Sequence, residues 1–231
     1  MRLRRNHTRL GKTVMNRTDF SLRPLLPETF GPIQQVAYVV EDLNEAVRYW
    51  RQNEAVSPFL ICNDISPFTR GSYRGSDCSD TTIHVAFAYI DGMQLELIEV
   101  SSDAPSIYHE ALQTTGDRVH HYAVHTREFA KTFRWALDNG YTVVLDSGID
   151  GLARMSYLAH ERCDFIIELI ELNPLTQPYF DGIESRWKQL ESNADDTHFN
   201  VMTLTRKSAV FRAILGFLAN SLLGRIDRTR A

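Results

Sequence analysis

An internal repeat constrains this fold more than any other feature of the chain. Gln94-Leu95-Glu96-Leu97-Ile98-Glu99 is echoed by Ile166-Ile167-Glu168-Leu169-Ile170-Glu171, and Gln35-Val36-Ala37 by His121-Tyr122-Ala123. In each pair a polar residue followed by two apolar ones opens a segment, and a Glu-centred apolar run closes it. A repeat of this kind reads as duplication of a half-domain of about sixty residues whose two copies share one core.

The elements between these markers follow one order twice. A strand over 33–40 is followed by Asp42, an N-cap residue with Glu45 three positions on, and by Leu43, Ala46, Val47 and Trp50 at helical spacing. Residues 57–62 read as a short strand and 63–80 as a long polar loop. Two β-rich runs, 82–90 and 93–100, meet at Asp91-Gly92, a strong hairpin signal. The second half predicts a strand over 119–126 and a helix over 128–139 that stops at Gly140. Strands over 141–146, 154–159 and 164–172 complete it. The expected fold is therefore α+β. Two βαβββ repeats make up the centre, with a C-terminal helix added.

The flanks differ from this centre. Residues 1–30 form a basic arm with Arg2, Arg4, Arg5, Arg9, Lys12 and Arg17, broken by Pro24 and Pro27. No apolar stretch follows these arginines, as a secretory signal would require. Residues 175–231 form a helical extension, with a short helix around 183–190 and another over 208–226. The apolar face of the latter (Val210, Phe211, Ile214, Leu215, Phe217, Leu218, Leu222 and Leu223) suits packing on the core or on a second copy in a homodimer. Peripheral membrane contact is the alternative use of that face. The net charge of −4 argues for no nucleic-acid partner. Three cysteines without a CxxC motif suit reduced thiols in the cytoplasm.

Strand alternation sets Glu96 opposite Leu95 and Leu97, and Glu168 opposite Ile167 and Leu169. One such glutamate reads as an ordinary solvated face. Two at equivalent positions, with Gln35 and His121 equivalent as well, read differently. If the halves pack as a pseudo-two-fold pair, two carboxylates, an imidazole and an amide oxygen converge. That donor set suits a divalent cation of intermediate hardness. Zinc is the first candidate, with manganese, nickel, cobalt and iron as alternatives. Alternation sends His120 to the opposite face from His121.

The residues quoted so far resemble a known family, the vicinal-oxygen-chelate superfamily of glyoxalases, bleomycin-resistance proteins and extradiol dioxygenases. Val39-Val40-Glu41-Asp42-Leu43 is similar to its first strand and helix start, His120-His121-Tyr122-Ala123-Val124 to the opening of its second half, and Ile167-Glu168-Leu169-Ile170-Glu171 to its ending. Tyr73-Arg74-Gly75 and the run from Asp103 to Tyr108 are similar to motifs of its bacterial glyoxalase-like group. The resemblance covers 31–174, with half-domains 31–104 and 117–174, and implies that the two βαβββ repeats form a curved mixed sheet around a metal-binding cavity. One departure is the loop His160-Glu161-Arg162-Cys163-Asp164, where the family usually carries Gly and Pro.

The resemblance implies Gln35, Glu96, His121 and Glu168 as metal ligands, a set like that of eukaryotic-type zinc glyoxalase I. It implies Glu168 first and Glu96 second as the catalytic base. Arg154, Tyr157, Tyr38 and Tyr73 are the candidate substrate-binding residues. The implied activity is that of a metal-dependent isomerase, epimerase or lyase moving a proton on a small hydroxy- or keto-compound or thioester. The alternatives are a non-catalytic small-molecule-binding protein and a ferrous ring-cleaving dioxygenase. Dioxygenases of the family use two histidines and one glutamate, which Gln35 does not match.

Overall fold

The computed structural model describes residues 27–114, 119–149, 151–163, 165–190 and 196–198. The basic arm up to residue 26 and the helix expected over 208–226 lie outside the described residues. The first half comprises β1 (Gln35–Val39), α1 (Leu43–Asn53), β2 (Leu60–Ile65), β3 (Arg70–Tyr73), β4 (Ser76–Asp77), β5 (Ile83–Ile90), β6 (Met93–Val100) and α2 (Ile107–Thr114). The second comprises β7 (His121–Thr126), α3 (Phe129–Asp138), β8 (Thr142–Ile149), β9 (Ala153–Ala159) and β10 (Ile166–Glu171). The helix α4 (Gln177–Lys188) and the short strand β11 (Thr197–His198) follow.

The local signals act through their expected chemistry. Asp42 Oδ1 accepts the Glu45 N–H at 2.8 Å, capping α1. Asp91 and Gly92 take φ of 50° and 83°, the paired left-handed conformation that a two-residue hairpin requires. At the end of α3, Tyr141 N–H donates to Ala136 O at 3.1 Å and Gly140 N–H to Leu137 O at 3.2 Å. This Schellman closure needs the left-handed φ of 87° that Gly140 supplies.

The described strands form one mixed sheet in the order β11-β2-β5-β6-β1-β7-β10-β9-β8-β3-β4. Within it the halves are β2-β5-β6-β1 and β7-β10-β9-β8, joined by the antiparallel pair β1·β7. The register obeys a pseudo-two-fold relation. Gln35 pairs with Ala123, and Ala37 with His121. Ala37 also lies beside Glu96 on β6, and Ala123 beside Glu168 on β10.

The sheet must curve strongly. Eight inter-strand steps separate β2 from β3 in the sheet order, which would span about 38 Å if flat. Yet only residues 66–69 connect them, five Cα steps that reach about 19 Å at most. Packing on the two faces agrees. The inner face carries a single cluster that runs from Leu60 and Cys62 near one edge, through Phe68, to Tyr73 and Leu145 near the other. The outer face carries two separate clusters, one under α1 with Leu43 and Val47, the other under α3 with Phe129 and Ala136.

Three features depart from the sequence reading. The polar loop of 63–80 contains the β3·β4 hairpin, which pairs with β8 on the far edge of the sheet. The turn Arg74-Gly75 closes that hairpin with positive φ at both residues. Helix α2, too short to show a periodic pattern, lies on the inner face with Ile107, Tyr108 and Ala111 buried. Helix α4 begins before the expected 183, because Pro178 suits its first turn. Its Ile183 and Trp187 also join the inner cluster, and Trp187 Nε1–H donates to Pro58 O at 2.8 Å. No helix among the described residues is long and apolar enough to cross a membrane.

Candidate metal centre

Residues directly opposite on neighbouring strands share a face, and alternate residues of a strand return to it. The registers therefore place Gln35, Ala123 and Glu168 in one row on the inner face, and Glu96, Ala37 and His121 in a parallel row beside it. Four polar side chains thus surround two alanines, both fully buried.

Three of the four side chains, His121, Glu96 and Glu168, come together. His121 Nε2 lies 3.3 Å from Glu168 Oε2 and 3.6 Å from Glu96 Oε2. His121 is 0% exposed, and the side chains of Glu168 and Glu96 are 8% and 13% exposed. Two donors each about 2.1 Å from a tetrahedral cation sit about 3.4 Å apart, so these separations suit a shared ion. Among the described residues, no group of three or more His, Cys, Asp or Glu side chains is placed to hold a metal ion as it stands. The arrangement is open, and its fourth candidate donor is an amide.

Two buried atoms in this group have no hydrogen-bond partner, His121 Nε2 and Gln35 Oε1. Each is the atom that would bind a cation, and an unpaired buried polar atom is costly. Their neighbours explain their direction. Gln35 Nε2 donates to Gln94 Oε1 at 2.7 Å, and Gln94 Nε2 donates to the Tyr89 hydroxyl at 2.7 Å. This amide chain commits the nitrogen of Gln35 and leaves its oxygen without a hydrogen-bond partner. His121 Nδ1 is committed too, at 2.8 Å from His120 Nδ1. In donor chemistry, an imidazole, two carboxylates and an amide oxygen, the four residues fit a divalent metal.

Burial, then the Glu168 charge, holds the Glu96 carboxyl well above the usual carboxylate range. The phenol of Tyr157, the cross-strand neighbour of Glu168, is raised by burial first and then by that carboxylate, with which it makes hydrogen-bond contact. Tyr157 OH is also 3.0 Å from Tyr108 OH of α2. Burial, then His121, pushes His120 well below the usual imidazole range. From α4, the Tyr179 phenol is raised by burial and then by nearby Cys62 and Glu96. Phe180 packs on His125 with ring centroids 4.2 Å apart. Helices α2 and α4 therefore flank the centre on the inner face.

The candidate substrate residues separate into two groups. Tyr157 is at the centre. Tyr73 lies on the inner face, but its hydroxyl is bound to Glu110 of α2 and accepts from Arg74 Nε at 3.2 Å. Tyr38 and Arg154 are not brought to the centre. Tyr38 points outward against Trp50 of α1, ring centroids 5.4 Å apart. Arg154 lies exposed on the outer face, with its guanidinium 4.4 Å from the Phe129 ring of α3. Alternation explains both: each is one residue out of phase with the inner-face position beside it, Ala37 and Met155 respectively. His120 departs from simple alternation: it precedes β7, and its ring turns back onto His121. Tyr108 ends the 103–108 run that the resemblance marks, but its place at the centre depends on where α2 docks. Gln94, two residues before Glu96 and on the same face, was legible from parity.

Comparison with known proteins agrees with this architecture. A family model described as glyoxalase/bleomycin resistance protein/dioxygenase superfamily matches residues 34–157. Among solved structures, a hypothetical protein from Bacillus halodurans is 16% identical. The match covers 62% of this chain and 94% of that one, with a TM-score of 0.46. Methylmalonyl-CoA epimerase from Mycobacterium tuberculosis is 18% identical, over 62% and 88% of the two chains, with a TM-score of 0.44. No curated protein matches the chain.

Proposed function

The chain belongs to the glyoxalase/bleomycin resistance protein/dioxygenase superfamily, and on that premise we propose that it is a metal-dependent isomerase, epimerase or lyase. Its substrate is a small hydroxy- or keto-compound, or a thioester of one, and its reaction moves a proton next to an oxygen-bearing carbon. One observation carries this reading. Two buried atoms without a hydrogen-bond partner, His121 Nε2 and Gln35 Oε1, share a face with two carboxylates, and His121 Nε2 lies from both at the separation of two ligands on one ion.

Gln35, Glu96, His121 and Glu168 would hold the metal, with zinc the first candidate. When bound, a divalent cation supplies Lewis acidity toward adjacent substrate oxygens. The protein's own groups would do the rest. Glu168 is tied to Tyr157, whose hydroxyl in turn meets Tyr108. Among the described residues Glu96 has no comparable hydroxyl partner, so it is the carboxylate with freedom to turn toward a substrate proton. We therefore place Glu96 before Glu168 as the base, reversing the order that the resemblance alone implies. A positioned base of this kind contributes about 10²–10⁴-fold. The buried aromatic surroundings keep water away from the reacting carbon. Cys62 and Cys78 are buried free thiols, which supports a cytoplasmic setting.

The test is metal content and proton exchange on the full chain. Protein saturated with zinc, manganese, nickel, cobalt or iron is analysed for bound metal. It is then incubated in D2O with α-hydroxy acids, α-keto acids and acyl thioesters. One metal per chain, loss of that metal in Glu168→Ala, and exchange lost in Glu96→Gln are the expected results. A folded chain that takes up none of these metals overturns the proposal and leaves a small-molecule-binding protein. Oxygen uptake with catechols in the iron-loaded protein would instead point to ring cleavage.

A further inference from the structure

We infer that His120 is a positioning residue for the metal centre, holding the His121 imidazole with its Nε2 lone pair toward the cation. The inference rests on the metal reading above.

The backbone of His120 is clamped on both sides. Its N–H donates to Ala37 O at 2.8 Å, and its carbonyl accepts the Ile166 N–H at 3.3 Å. The imidazole is 4% exposed and turns back onto its neighbour, with ring planes at 79° and centroids 5.1 Å apart. The two Nδ1 atoms meet at 2.8 Å, so one proton lies between them. A His121 ring that binds a cation through Nε2 must carry its proton on Nδ1 and needs an acceptor there. His120 Nδ1 supplies it. The remaining nitrogen, His120 Nε2, is buried with no partner, so the ring is not placed here to satisfy its own hydrogen bonds.

The same support reaches a second ligand. Tyr108 of α2 packs on His120 with ring centroids 5.7 Å apart, and its hydroxyl meets that of Tyr157, which contacts Glu168. One helix thus braces two of the four candidate ligands, His121 through His120 and Glu168 through Tyr157.

The decisive comparison is His120→Asn against His120→Leu. The two replacements have similar size, but only Asn keeps an acceptor near the place of Nδ1. Cobalt(II) affinity is read by competition with a chromophoric chelator, together with the visible absorption of the bound ion. Circular dichroism in EDTA checks folding. His120→Leu should bind cobalt about 10–100-fold more weakly and shift its absorption. His120→Asn should stay close to the parent in both. Equal affinities for the two variants, whether like the parent's or equally reduced, overturn the inference. If His120→Leu does not fold, His120→Phe replaces it and the same outcomes apply. His121→Ala separates the two levels of the argument. A parent that binds no cobalt overturns the metal reading and this inference with it. A parent that binds, with loss in His121→Ala and none in His120→Leu, overturns this inference alone.

Discussion

Neutralising Glu96 should stabilise the metal-free protein while destroying its metal affinity. The Glu96 and Glu168 oxygens lie 3.6 and 3.3 Å from the same imidazole nitrogen. They are therefore no more than about 7 Å apart. At an effective dielectric constant of about 20, two unit charges at that separation repel by about 2.4 kcal/mol. Burial adds to this cost, since it is the larger cause of the raised Glu96 ionisation. A group whose folded pKa lies above its unfolded one contributes stability that is fully present below the unfolded value. That contribution is lost as pH rises through the folded value. In this window each pH unit lowers the parent's stability by about 1.4 kcal/mol, and Glu96→Gln escapes the loss. In EDTA the two proteins should thus be nearly equal at pH 4.5. At pH 8 the variant should lead by about 2 kcal/mol or more, about 4–8 °C in melting temperature for a domain of this size. Comparing two variants at each pH removes the opposite contributions of His120 and His125, both depressed mainly by burial. The assay is urea denaturation followed by far-ultraviolet circular dichroism, repeated with zinc. Zinc should raise the parent above the variant. A variant no more stable than the parent at pH 8 in EDTA would refute the view that two carboxylates share this buried centre.

Other consequences follow from the same geometry. Ala123→Leu fills the floor between Gln35 and Glu168, so metal uptake should fall at least about 100-fold, while stability drops by about 1–3 kcal/mol. Elemental analysis and thermal melting measure the two effects, and full metal occupancy would contradict the placement of the centre. Tyr157→Phe removes the hydroxyl between Tyr108 and Glu168 and leaves a buried Tyr108 hydroxyl unpaired. It should cost about 1–3 kcal/mol in a denaturant titration and weaken metal binding. Arg154→Ala should leave metal affinity unchanged and cost about 0.5–1 kcal/mol through the lost contact with Phe129. A large loss of metal or activity there would restore Arg154 to the site.

The sequence by itself determined the duplication, the order of elements in each half and the face of Glu96, Glu168, Gln35 and His121. These depend on strand alternation, helix caps and turn conformations, which act over a few residues and leave a local signature. Asp42, Asp91-Gly92 and Gly140 are each read in this way. Tertiary structure decided what has no local signature. The β3·β4 hairpin pairs with the far edge because the sheet curves, and the curve is a property of all its strands together. Tyr38 and Arg154 fell on the outer face because a one-residue change of phase reverses a side chain. His120 precedes the regular strand, and its ring turned back onto His121. Tyr108 reached the centre only when α2 docked on the inner face. The four candidate ligands were legible because duplication recorded them twice. The residues that brace them are not repeated, and only packing revealed them.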